Sequence, residues 1–393
     1  MARPHIALIA ASFLLAAGIA GCSVGDESST PPQVGVQSED EDATTKLGFP
    51  SSATKNTIRV GGSDPVANAA AVASIVFPAT DEASRPTAVV LVEKDDWQGA
   101  VTAAVLTANP IGAPILLTDG DELDPVTEDT LDRLDPRGSD LADDKDAIRI
   151  GDAPARPDGV ETAIIKGDDP YERAAAIDTF SSSAKGKPSA NVVVASGEDA
   201  AFAMPAAAWA AFSGDSVLLT RRNALPAPTA KALREHEKPN IYVLGPETVI
   251  SEEVEKDLAE LGRVRRIEGP TPVQNAIAFA RFEDSRTGFG WGVVVPGYNF
   301  SVASAERSGD AAAGATLATK GVFAPLVLTD RADRLPEPLE EYFLSVQPGY
   351  EDDPGQAVYN RVWILGDEDA LSVEAQARLD EITELIPVQT QAP

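Results

Sequence analysis

Residues 191–262 read NVVVASGEDAAFAMPAAAWAAFSGDSVLLTRRNALPAPTAKALREHEKPNIYVLGPETVISEEVEKDLAELG. Three runs in it, Val192–Ala195, Val217–Thr220 and Ile241–Gly245, are apolar, rich in branched side chains and too short for helices. Two segments of helical composition separate them and a third follows. This alternation predicts parallel strands joined by crossover helices. The unbroken apolar character of the runs predicts a sheet covered on both faces. The last helix is the best marked. Ser251 is its N-cap, and Glu252 and Glu253 sit in the first turn, where the helix dipole favours negative charge. Val254, Leu258 and Leu261 share one face, and Gly262 ends the helix.

The same order recurs on both sides. TIRVGGSDPVANAAAVA begins at Thr57, TAIIKGDDPYERAAAI at Thr162 and RVRRIEGPTPVQNAIAFA at Arg263. Each has a short strand, a glycine (Gly62, Gly167, Gly269), a cap (Asp64, Asp169, Thr271) and a proline (Pro65, Pro170, Pro272) at the head of an Ala-rich helix. Proline is pre-shaped for the first helical position, where no N–H is needed. The prolines lie 170 − 65 = 105 and 272 − 170 = 102 residues apart. Second strands are predicted at Ala88–Val92, Asn191–Ala195 and Gly292–Val295, followed by helices over Gly99–Ala108, Ala203–Phe212 and from Val302 to Ala313 or beyond. Third strands follow at Ala113–Asp119, Asp215–Arg221 and Ala324–Asp330. Fourth strands run into glycine at Ile148–Asp152, Ile241–Glu247 and Val362–Glu368. Ser251 and Ser372 open a closing helix in the second and third copies; a Pro-rich loop, 153–159, replaces it in the first. The chain therefore divides into repeats at 57–160, 161–262 and 263–393.

Ahead of the repeats, residues 1–21 read as an export signal, with Arg3 and His5 before an apolar stretch from Ile6 to Ala17. Ile19-Ala20-Gly21-Cys22 resembles the bacterial lipobox, which implies a diacylglycerol on Cys22 as the new N-terminus and an anchor in the outer leaflet. Residues 22–56 hold Ser, Thr, Pro, Gly, Asp and Glu with few large apolar side chains, the composition of a disordered tether.

Composition narrows the function. Cys22 is the sole cysteine, and His5 and His236 are the only histidines, so zinc sites of the usual kind and histidine triads are nearly excluded. The 32 basic against 62 acidic residues give a net charge of −30, which opposes nucleic acid and anionic membrane surfaces. No GxSxG elbow, P-loop, HExxH or GxGxxG is present, and nothing calls for a cofactor or a metal. Gly61-Gly62 before a helix loosely suggests a phosphate site, though Pro65 removes an N–H such a site would use. Asp95-Asp96 and Asp168-Asp169 fall at strand-to-helix ends, where a carboxylate hydrolase or a Ca²⁺ site could form; in so acidic a chain they also arise by chance.

The ordered set of motifs resembles the cell wall-binding repeat 2 family of Gram-positive surface proteins. The second copy carries it best, in Gly167-Asp168-Asp169-Pro170-Tyr171-Glu172, Ala195-Ser196-Gly197-Glu198-Asp199, Val217-Leu218-Leu219-Thr220, Leu225-Pro226 and Val249-Ile250-Ser251. The resemblance implies an α/β fold of three Rossmann-like repeats with short parallel sheets in a pseudo-threefold arrangement. It also implies non-catalytic binding of a cell wall glycan or secondary wall polymer. In the family the Ile-Leu-Leu run has been linked to attachment; the matching Ile115-Leu116-Leu117, Val217-Leu218-Leu219 and Leu326-Val327-Leu328 also read as central strands packed in the core. Proline stands at the family's helix-start arginine, and Gly99, Phe202 and Val302 align with its aspartate after the second strand.

The candidate ligand residues are Trp97, expected at an exposed strand end where it could stack on a sugar, and Arg221, Arg222, Arg265 and Arg266. With Arg263 these arginines are the only concentrated basic residues, and a solvated helix-end and turn reading stands beside the ligand reading. The expected protein is a membrane-anchored lipoprotein of the cell envelope that binds wall polymer through its strand-to-helix loops. A solute-binding lipoprotein serving a transporter and an unrecognised envelope hydrolase are the alternatives.

Overall fold

The computed structural model describes residues 52–388 apart from 63, 121–122, 143, 152–155 and 158. The predicted signal, Cys22 and the tether up to residue 51 lie outside the described residues.

Branched apolar runs form strands and Ala-rich segments form helices, as their side chains dictate. In the first unit β3 (Val89–Glu93), β4 (Ile115–Thr118), β5 (Ala147–Ile150) and β6 (Thr162–Ile165) make a parallel sheet ordered β4-β3-β5-β6. In the second, β7 (Asn191–Ser196), β8 (Ser216–Thr220), β9 (Asn240–Leu244) and β10 (Arg263–Ile267) repeat that order as β8-β7-β9-β10. The third has β12 (Leu326–Thr329), β11 (Asn299–Ser304) and β14 (Arg361–Leu365), and its fourth strand is β2 (Thr57–Val60) from the far end of the chain. Thr57 lies opposite Val362 and Val60 opposite Leu365. A short β1 (Ser52–Ala53) then pairs antiparallel with β2, and β13 (Gly349–Tyr350) pairs with β15 (Ile386–Pro387) in a separate ladder.

The strand that opens each sequence repeat thus joins the sheet of the preceding unit. The helix after it crosses to its own unit. Helix α1 (Pro65–Val76) packs on β4, α4 (Pro170–Lys185) on β8 and α8 (Pro272–Arg281) on β12. Each is capped as expected, with Asp64 Oδ1 accepting from Val66 N, Asp169 Oδ1 from Tyr171 N and Thr271 Oγ1 from Gln274 N. At Gly167 and Gly269 a Cβ would collide with the backbone of the helical turn that follows, so only glycine allows strand and helix to approach so closely. Three links of this kind close the described body into a ring.

The ring's centre is helical. Helices α2 (Trp97–Ala103), α5 (Ala200–Ser213) and α9 (Asp310–Leu317), one from each unit, contact one another. Their faces are mostly alanine, and small side chains let the backbones come close; Ala206, Ala207, Ala311 and Ala312 are fully buried. The outer layer is α3 (Pro125–Leu134), α6 (Ala227–Glu235), α7 (Glu252–Leu261), α10 (Glu337–Ser345) and α11 (Val373–Ile382). Helix α7 follows its sequence: Ser251 Oγ accepts from Val254 N, and Val254 and Leu258 are buried. Gly262 ends it in extended backbone, where a Cβ would strike Pro239 and Ile241.

Two expectations need correcting. Gly292–Val295 is not a strand: Gly290, Gly292 and Gly297 take φ of 107°, 62° and 108°, which an extended strand cannot accommodate, and Pro296 interrupts the run. The second strand of the third unit is instead β11, seven residues later, and its helix begins at Asp310 rather than Val302. Ser52–Asn56, assigned to the tether, are docked. Asp380 Oδ1 accepts from Asn56 N at 2.7 Å and Thr57 N at 3.1 Å, and the Asn56 amide donates to Asp380 O at 3.1 Å.

Candidate binding surface

In an open parallel sheet ligands settle beyond the carboxyl ends of the strands, where the strand order reverses. Here those places are the ends of β3 and β5, β7 and β9, and β11 and β14. All three are occupied by the protein's own side chains.

In the first unit Asp96 caps α2, accepting from Gly99 N at 2.9 Å, and pairs with Arg173 of α4 at 2.8 Å. In the third, Arg307 Nε donates to Asp310 at 2.9 Å and Asn68 Nδ2 donates to the other carboxylate oxygen at 2.8 Å. Arg307 also reaches Gly62 O and Asp367. Burial pushes the Asp310 carboxyl up, against the pull of Arg307 and Asn68. In the second, Glu198 accepts from Arg222 N at 2.9 Å and pairs with Arg221 at 3.7 Å, while Arg221 lies over the Tyr171 ring. The Gly62 and Gly269 amides, which a phosphate would need, are taken by Asn68 Oδ1 and Asn275 Oδ1. Asp169 is wholly a capping group, bonded to Tyr171 N and Glu172 N.

With β11 in its true place, Asp310 rather than Val302 is the third unit's counterpart of Gly99 and Phe202. Phe202 stands there in the second unit, and the Asn275 Nδ2, equivalent to that of Asn68, is buried without a partner.

The candidate arginines do not form one patch. Arg221 and Arg222 follow β8, while Arg263, Arg265 and Arg266 lie on β10, at the opposite edge of the sheet. Three strand spacings separate these edges, about 14 Å. Arg265 pairs with Asp284 at 2.9 Å and Arg263 with the same carboxylate at 3.6 Å, and Arg266 pairs with Glu255 at 2.6 Å. Hydrogen bonding to Arg265 holds the Asp284 carboxyl down at about 2. Charges along an edge strand also discourage pairing with another chain. Trp97, expected to be exposed, is partly buried against the core at the first position of α2.

The Ile-Leu-Leu positions are inaccessible to any polymer. Ile115, Leu116, Leu117, Leu218, Leu219, Val327 and Leu328 are fully buried. Their strands are sheet edges in hydrogen-bond order rather than central, but α1, α4 and α8 cover them.

His236 is buried, with Nε2 2.9 Å from Asp178 and Nδ1 2.8 Å from Ser189 O. Both nitrogens face acceptors, an arrangement that favours the doubly protonated ring. Burial pulls its pKa down, and the hydrogen bond and charge of Asp178 outweigh this, so the net shift is upward. A ring with neither nitrogen free cannot serve as a general base. Among the described residues no group of three or more His, Cys, Asp or Glu is placed to hold a metal, and no helix is long and apolar enough to cross a membrane.

The sequence reading missed an aromatic cluster at the other end of the strands. Trp209 meets Phe289 at 4.7 Å and Trp291 at 5.4 Å, and Tyr242 stacks on Phe289 at 3.5 Å. The signal was present: residues 279–300 carry Phe279, Phe282, Phe289, Trp291, Tyr298 and Phe300, six of 4 + 6 + 12 = 22 aromatics.

Three short parallel sheets alternating with helices, joined by exchanged strands and filled at their switch points by internal ion pairs, define a repeat α/β fold. Residues 164–255, which fall within the second repeat, match the sequence model of Cell wall binding domain 2 (CWB2). Among solved structures the fold is that of Cwp8 from Clostridium difficile, with TM-score 0.64, 22% identity, and coverage of 84% of this chain and 52% of that one. Cwp6 from Clostridium difficile matches with TM-score 0.64 and 17% identity, covering 86% and 49%. The chain thus spans about half the length of these two proteins. No curated protein matches it in sequence.

Proposed function

We propose that this protein is a non-catalytic binder of a bacterial cell wall glycan or secondary wall polymer. The match of residues 164–255 to Cell wall binding domain 2 carries the reading. The recurrence of that unit around one ring supports it. The lack of a free nitrogen on His236, and the capping and pairing of Asp96 and Asp169, speak against the hydrolase alternative. The described residues fall within one compact unit rather than two hinged lobes, which speaks against a solute-binding protein.

The export signal at 1–21, the lipid on Cys22 and the tether belong to the same proposal. They place the protein on the outer face of the cell membrane, with the ring held out in the wall. The test is retention of the Cys22→Ala protein on purified Gram-positive wall, across salt and divalent cation concentrations. Retention is expected without the anchor. A protein that washes off wall under every condition, and reaches the cell surface only with Cys22 intact, is a plain anchor and ends the proposal.

A further inference from the structure

The crevices of the strand-to-helix face are filled by the protein's own ion pairs, which leaves the opposite end of the strands to be considered for contact with polymer. Phe212 is the penultimate residue of α5, whose N-terminus follows β7, and Phe323 precedes β12, so both lie at the amino ends of the strands. Trp291, in the loop before β11, stacks on Phe212 at 4.8 Å and 29°, and Phe323 meets Phe212 edge-on at 5.8 Å. Phe212 is 44% exposed and Phe323 49%, and Val294 and Val295, in the same loop as Trp291, are 57% and 53% exposed.

Phe323 is the telling residue. It holds φ at 51°, in the left-handed region that bulky side chains avoid. The strained backbone there presents an aromatic ring that is half exposed. Strained residues cluster at functional sites. The ring cluster is also anchored from beneath: Trp209, buried under Phe212, donates its Nε1 to Asp215 at 3.0 Å.

We propose that Phe212, Trp291 and Phe323 form a platform on which the pyranose rings of a neutral glycan segment of the wall stack. The proposal rests on the wall-binding reading. The axial C–H face of a pyranose is apolar and slightly positive, and it suits the negative face of an aromatic ring. The local charges favour a neutral ligand. Two cations beside the platform are engaged, Lys185 with Gly214 O and Lys320 over the Phe77 ring at 4.1 Å. With a net charge of −30 the protein repels polyanions and anionic lipid alike.

The test compares the full chain with Phe212→Ala/Phe323→Gly. Glycine relieves the positive φ, so the variant is expected to melt no lower than its Phe212→Ala parent, which separates binding from folding. Retention on purified Gram-positive wall should fall at least tenfold. N-acetylglucosamine tetramer should compete wild type off the wall, and inorganic phosphate should not. Equal retention of the two proteins overturns the platform and leaves the wall-binding reading standing. Failure of wild type to bind wall at all removes both. Loss in the variant of binding to phosphatidylglycerol vesicles, or of self-association by sedimentation, with wall retention unchanged, assigns the surface to lipid or to a second copy instead.

Discussion

Asp310 is a carboxylate with no exposure, compensated by one guanidinium and one amide. Removing the guanidinium strands a buried charge. Arg307→Ala should therefore cost about 3–5 kcal/mol in denaturant unfolding. Asn68 and Asn275 occupy the same position in successive repeats, yet only Asn68 donates to a carboxylate. Asn68→Ala should cost more than Asn275→Ala by about 1.5–3 kcal/mol, the worth of a hydrogen bond to a charged group. His236 gives a pH signature. Its folded pKa is raised, so its pairing with Asp178 is fully present below the unfolded value of 6.5 and is lost as pH rises through the folded one. The thermal midpoint gap between wild type and His236→Gln should be widest near pH 5–6 and shrink above the folded pKa. A gap unchanged across that range would show that the imidazolium contributes nothing.

At the scale of elements, the buried runs on β4, β8 and β12 are packing residues. Leu218→Ala should destabilise by about 2–5 kcal/mol. Wall retention per folded molecule, measured well below the melting transition, should be unchanged. Strand and helix positions were largely legible because short branched runs, caps and prolines act locally. Ser251, Asp169 and Thr271 cap the helices their neighbours predicted. The failure at Gly292–Val295 has a local cause too: three valines read as a strand, but the glycines around them set the backbone. The binding surface was not legible. An arginine's partner is set by the fold, and Arg265 with Asp284 or Arg266 with Glu255 leave no mark at fixed spacing. Phe212 and Phe323 lie 323 − 212 = 111 residues apart and meet only through packing of the central helices.

At the scale of the molecule, repetition in sequence announced three units but not which sheet each opening strand would join. Side-chain period specifies that a strand is buried, and is silent about its neighbour. The answer is an exchange of strands around the ring, completed by Arg59 of β2. Its guanidinium donates to Gly366 O, Asp367 O, Leu371 O and Gln376 Oε1, across more than three hundred residues. Deleting residues 1–86 should therefore unfold the third unit's sheet although no residue of repeat three is touched. A circular permutant that begins at Thr87 and carries residues 52–86 after Val388 on a short linker should recover cooperative melting near the wild-type midpoint. If the simple deletion melts like wild type, the ring does not depend on β2.

Pairing of Thr57 with Val362 spans 362 − 57 = 305 residues. Synthesis at roughly 5–20 residues per second puts on the order of 15–60 s between the appearance of the two strands. Throughout that interval β2 has no sheet to enter, whatever the first two units have done. The molecule is built so that its beginning waits for its end, and the third sheet is the last of the three that can close.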